Sequence, residues 1–202
     1  MIFMDMIIAK YKEDISWINN IKKNFNIVVY DKFDNSSNKL ENVGREGHTY
    51  LNHIINNYNN LADITVFCQA NPFVHKNDFI QWCNNIEFYL QDMNFLPLCN
   101  KAKEGPYGNI HSTHPLGLPI YYFFDLLFGI KLSIDTQLDV YYGAQFAARK
   151  EIILNRPIEF YMFLIKFLSF EQDPIEGYII ERLWPYILNT NYKLSNKYLQ
   201  FL

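Results

Sequence analysis

The feature that most constrains this chain is the alternation in its first seventy residues of short, nearly continuous apolar runs with amphipathic stretches. Asp5–Ala9, Ile27–Tyr30 and Ile64–Cys68 have the length and apolarity of strands covered on both faces. Asp14 is placed to cap a helix carrying Ile15, Ile18 and Ile21 to about Asn24, and a second helix is expected over Gly44–Asn57. Strand–helix–strand order implies right-handed parallel crossovers, hence an open, mostly parallel α/β sheet with helices on both faces. Between the second strand and second helix, Asp31–Asn42 reads as an exposed polar loop.

Prolines punctuate the middle third, and Lys103–Leu118 reads as a long loop, a feature usually tied to function or disorder. An aromatic helix near Ile120, a strand over Val140–Ala148, and helices over Pro157–Phe170 and Pro174–Leu188 complete the chain. Asp173, Pro174 and Glu176 have the spacing of a cap, a first-turn proline and a capping-box acid. At 202 residues, half of them hydrophobic and 17 % aromatic, the chain fits a single domain over 1–202.

A net charge of -3 and the lack of any Lys/Arg block argue against a nucleic-acid partner. Ile120–Ile130 contains Asp125 and is about half the length of a spanning helix, so no transmembrane segment is expected. The first residues make a poor signal peptide. Cys68, Cys83 and Cys99 fit no disulfide framework, and a cytoplasmic, reducing setting is the simplest expectation. The Asn-x-Ser match at Asn35 carries little weight without an export signal.

Ligands of open parallel sheets bind outside the carboxyl ends of the strands. Here those ends are Lys10-Tyr11-Lys12-Glu13, Asp31-Lys32 and Gln69-Ala70-Asn71. Gly44, Gly47, His48, Leu51, Ile54, Ile55 and Tyr58 share a helical stripe. Its glycine-bearing first turn, with Arg45 beside it, suits a diphosphate; tight helix–sheet contact around a core His48 explains the same residues equally well. Gln69 and Asn71 alternate to one side and can hydrogen-bond a sugar or base, with His75 beyond them as an acid–base or a structural group. Gly143, Gln145, Ala147 and Arg149 share a strand face, either leaving room for a substrate or receiving a helix. Glu181, on a helix that Pro185 should bend, is either a raised-pKa base or the partner of Arg149 or Arg45. His111 and His114 have metal-compatible spacing but no matching acid or cysteine nearby.

Several phrases carry a resemblance in order along nearly the whole chain. They are Ile8-Ala9-Lys10-Tyr11-Lys12-Glu13-Asp14-Ile15-Ser16-Trp17, Asn42–Ile55, Thr65-Val66-Phe67 with Gln69, Gly143-Ala144-Gln145-Phe146 and Glu181-Arg182-Leu183-Trp184. They resemble a family of uncharacterised proteins, a domain of unknown function. That family is in turn distantly similar in layout to glycosyltransferases of the Rossmann-like GT-A fold. The resemblance implies a nucleotide-binding half over 1–75 and an acceptor-binding half over 76–202. A nucleotide-sugar donor and an unknown acceptor would be the partners and Glu181 the catalytic base. Tyr11, Lys12, Glu13, Gly44, Arg45, His48, Gln69, Asn71, His75, Gly143, Gln145, Arg149, Arg182 and Trp184 would contact substrate. GT-A enzymes usually hold Mg²⁺ or Mn²⁺ on an Asp-x-Asp; the corresponding position here reads Gln69-Ala70-Asn71, two neutral amides that bind such ions poorly. Ala70 also stands where relatives tend to have glycine. A non-catalytic glycan- or protein-binding module of the same fold is the alternative.

Overall fold

The computed structural model describes residues 2–34, 36–108 and 117–201. The Asn35 sequon and the His111–His114 pair therefore lie outside the described residues.

Three apolar runs form the expected strands: β1 (Met4–Lys10), β2 (Asn26–Asp31) and β3 (Ile64–Gln69). β2 and β3 both pair parallel with β1, on opposite sides of it. The five-stranded sheet continues from β3 through β7 (Phe146–Arg149) to β4 (Phe95–Pro97), in the order β2-β1-β3-β7-β4. Both of these further pairings are antiparallel. The sheet is thus mixed rather than mostly parallel, because one returning strand is inserted between β3 and β4. Only the first half of the chain has the strand–helix–strand rhythm that enforces parallel pairing.

Helices cover both faces, as expected. On one face Ile7, Phe67 and Phe146 pack against α1 (Arg45–Asn56), α4 (Ile120–Phe128), α6 (Ile158–Lys166) and α7 (Ile175–Ile187). On the other, Met6, Ile8, Val66 and Cys68 meet Trp17, α2 (Phe79–Asn84) and α3 (Ile86–Tyr89). The alternation of buried side chains along β1 and β3 supplies both layers, which is why those strands read as unbroken apolar runs. Cys68, Cys83 and Cys99 are buried thiols.

Several local expectations change. Instead of an α-helix after Asp14, a single 3₁₀ turn spans Ser16–Asn20; Asp14 accepts hydrogen bonds from the Ser16 amide and hydroxyl. The segment Val140–Ala148 is not one strand. β6 (Leu138–Tyr141) pairs with β5 (Lys101–Glu104) in a separate two-stranded sheet, and the chain then turns before β7. That turn is made at Gly143 and Ala144, with φ of 100° and 51°. The Lys103–Leu118 loop accordingly begins within β5. The capping box before α7 does not form: no side chain caps the helix, Glu176 Oε2 lacks a partner, and Asp173 instead accepts the Tyr178 hydroxyl. Among the described residues, no helix is long and apolar enough to cross a membrane.

Candidate functional site

Beyond β1 the chain leads toward one edge of the sheet, and beyond β3 toward the other. The carboxyl ends of these neighbouring strands therefore diverge, and a crevice opens between the connections, the usual ligand position in such sheets. A cleft of about 500 Å³ lies there. Its lining includes Lys10 and Tyr11 from the end of β1, Lys32 just after β2, Arg45 and Glu46 from the start of α1, and Gln69 and Asn71 at the end of β3.

Cationic and neutral polar groups converge on it. Lys10 Nζ lies 2.5 Å from Asp31 Oδ2, a contact that raises the lysine pKa and keeps it charged. Burial pushes the Asp31 carboxyl up, but Lys10 and the amides of Phe33 and Asp34 outweigh it and hold the group below its ordinary value. Lys32, expected in an exposed loop, is 8 % exposed and donates to the carbonyls of Val43 and Arg45, each at 2.5 Å. Its burial lowers its pKa to about 8, against an opposing pull from Glu46.

The Arg45 guanidinium sits 3.9 Å from the centre of the Tyr178 ring, with Nε 3.7 Å from both Glu46 and Asp173. Its Nη1 has no hydrogen-bond partner. The first turn of α1 is less bare than expected, since the Gly44 and Arg45 amides already donate to Glu171 and Gln172 carbonyls. Of the acids lining the cleft, Glu13 accepts the amides of Tyr11 and Lys12, and Asp173 accepts the Tyr178 hydroxyl.

The cleft therefore gathers Tyr11, Glu13, Arg45, Gln69 and Asn71 from the sequence-predicted set. The remainder lie elsewhere. Lys12 stands over the Tyr11 and Phe33 rings at the rim. Gly44 is the left-handed cap of α1; a Cβ there would lie 2.2 Å from the Leu168 carbonyl oxygen. His48 is half-buried with Nδ1 unpartnered, and burial followed by Lys32 depresses its pKa to about 4. His75 packs against Gly143, where a Cβ would lie 2.4 Å from its ring. Gln145, wholly buried, donates to the Pro72 and Leu98 carbonyls. Arg149 is beside Ile64 at the amino end of β3, the opposite end of the sheet from the cleft, and binds the Leu90 and Met93 carbonyls. Trp184 is 1 % exposed and packs on Phe146.

Glu181 is 7 % exposed and does not line the cleft. Its Oε1 accepts the Gly143 amide at 2.5 Å, and its Oε2 lies 3.5 Å from Arg182. Burial and the charge of Glu46 raise its pKa to about 7, against Arg45, the Gly143 amide and Arg182. The carboxylate is thus raised and holds the Gly143 turn. The expected pairings with Arg149 or Arg45 are replaced by Arg182. Arg182 itself binds Glu104 Oε2 at 2.6 Å, and Tyr142 donates to the other oxygen of Glu104. Glu104 is 1 % exposed and had no sequence signal, because its strand is short and its neighbours are exposed.

Lys10 and Lys32 are cleft residues that the substrate-contact set omitted. The rule that ligands gather beyond strand ends already points to both positions; Lys10 also falls within the Ile8–Trp17 phrase, whereas Lys32 lies in none of the quoted phrases. Among the described residues, no group of three His, Cys, Asp or Glu side chains is arranged to hold a metal ion.

The fold and cleft define a mixed α/β protein with a polar crevice at the carboxyl ends of its parallel strands. The chain belongs to the family described as protein of unknown function (DUF3431), whose model matches residues 6–200. No curated protein and no solved structure matches it.

Proposed function

We propose that the cleft binds a nucleotide sugar and that the protein is a glycosyltransferase-like transferase. The observation that carries this reading is the convergence of Lys10, Lys32 and Arg45 with Gln69 and Asn71 at one crevice. Fixed cations suit diphosphate oxygens, while planar amides suit the hydroxyls of a sugar or the edge of a base. Residues 1–75 supply most of this lining, consistent with a donor half; the acceptor is assigned to residues 76–202. A divalent ion does not fit the donor set at the end of β3. Gln69 and Asn71 are neutral, and Glu13 is already engaged by backbone amides, so charge neutralisation falls to Lys10 and Arg45.

Uridine and guanosine diphosphate sugars are expected to raise the melting temperature of the protein, and Arg45→Ala to abolish the shift. The absence of stabilisation by any nucleotide sugar at millimolar concentration would sink the proposal. A non-catalytic binding module is the second reading, favoured by one observation: the carboxylate expected to act as base is buried against Gly143 and Arg182. Release of nucleoside diphosphate from a bound donor separates the two, because a module binds without releasing it.

A further inference from the structure

We infer that Lys32 is the positioning residue of the cleft: its ammonium clasps the Val43 and Arg45 carbonyls around a left-handed turn and thereby fixes where the Arg45 side chain stands. Gly44 and Arg45 are consecutive residues with positive φ, 61° and 52°. For glycine that conformation is free of Cβ strain. For arginine it is uncommon and strained, and it persists only where the surroundings impose it.

The surroundings hold the turn from two sides. The amides of Gly44 and Arg45 are tied to the Glu171 and Gln172 carbonyls, 2.8 and 3.2 Å away. The flanking carbonyls, Val43 and Arg45, both point at Lys32 Nζ. Lys32 is therefore the group that gathers the carbonyl side of the turn.

Two further observations favour positioning over a merely solvated lysine. No carboxylate forms an ion pair with Lys32 among the described residues, and Glu46 acts on it only at longer range. A buried ammonium without an anion needs acceptors, and the two carbonyls are those acceptors. At its far end, meanwhile, Arg45 lies over the Tyr178 ring but has no close ionic partner. Its Nε lies 3.7 Å from each nearby carboxylate, beyond hydrogen-bond distance, and Nη1 has no partner. The guanidinium is thus placed by the Tyr178 ring at one end and, at the other, by a backbone that Lys32 holds. This inference rests on the donor-site reading only for its effect on affinity.

Amide hydrogen exchange in Lys32→Met supplies the test. The Gly44 and Arg45 amides should exchange about tenfold faster or more, while the central-strand amides of Ile8 and Val66 keep wild-type protection. Unchanged exchange at the turn overturns the proposal. Should the variant fail to fold, the wild-type protein decides. The Lys32 side-chain nitrogen is expected to show through-hydrogen-bond couplings to the carbonyl carbons of Val43 and Arg45. An ammonium signal that is motionally averaged and uncoupled overturns the proposal. Uridine diphosphate then supplies the affinity arm. Lys32→Met and Arg45→Ala should each weaken its binding, with a double variant little worse than either single one; fully additive losses would count against positioning. If the nucleotide fails to bind the wild type, the donor reading falls while the exchange and coupling measurements still decide the role of Lys32.

Discussion

The strand ends of the first half and the β7–α7 region of the second were both expected to furnish the site, yet they have opposite fates. Lys10, Tyr11, Gln69 and Asn71 meet in an open cleft, whereas Gln145, Glu181, Arg182 and Trp184 are buried in the interior. Strand direction brings both regions to one end of the sheet, and what packs over each then separates them. Parallel strands deliver all their carboxyl ends to one edge of the sheet, so the following loops gather there without long-range tuning. The antiparallel strand β7 instead presents its beginning at that edge and its end, Arg149, at the other. Polar residues at the turn into β7 lie at the same end as the cleft but are covered by α7. Buried polar groups must then find partners, and Glu104, Glu181, Arg182 and the Gly143 amide satisfy one another.

That contrast can be broken by substitution. The largest effect is expected at the Glu104–Arg182 pair, whose side chains are 0 % and 6 % exposed. Glu104→Ala should cost about 3–5 kcal/mol in denaturant unfolding, since it removes the close carboxylate partner of a buried guanidinium and the acceptor of the Tyr142 hydroxyl. A loss below about 1 kcal/mol would mean that water reaches the pair and that this region is not interior.

Next comes Gly143→Ala. A Cβ would collide with the His75 ring in a backbone at φ 100°, and a loss of roughly 2–4 kcal/mol is expected by the same measurement.

The pH dependence of Glu181 gives a smaller effect of definite sign. Its folded pKa, about 7, lies above its ordinary value of 4.5, so the native state binds the extra proton. Its contribution to stability is greatest at low pH and is lost as pH rises from about 4.5 to 7. Glu181→Gln should therefore gain on the wild type across that window, on the order of 1–2 kcal/mol between pH 5 and 7. His48 and His53, depressed to about 4 by burial, act in the opposite direction, destabilising the protein as pH falls from 6.5 toward 4. The difference between variant and wild type isolates the carboxylate. A flat difference across pH 5–7 would show Glu181 ionised throughout, with Arg45 and Arg182 outweighing its burial.

The smallest stability change is expected at the cleft itself. Arg45 makes no ion pair closer than 3.7 Å and its main contact is the Tyr178 ring, so Arg45→Ala should alter unfolding free energy by about 1 kcal/mol while removing the response to nucleotide sugars. A large stability loss there would place Arg45 with the interior cluster rather than with the cleft.

The alternating apolar runs of the sequence determined the three parallel strands, the coverage of both sheet faces and the edge at which a cleft opens. These follow from local periodicity, because strand burial and crossover handedness act over a few dozen residues. Tertiary structure alone decided that β7 lies between β3 and β4, that Glu104 meets Arg182 across 78 positions of chain, and that Lys32 folds inward to the Gly44–Arg45 turn. Glu104 and Lys32 have no periodic signature: the burial of each depends on partners outside its own strand or loop turn. A carboxylate such as Glu181 therefore reads alike on paper whether it faces a substrate or an arginine. The difference is made by desolvation, and desolvation depends on what packs over the residue.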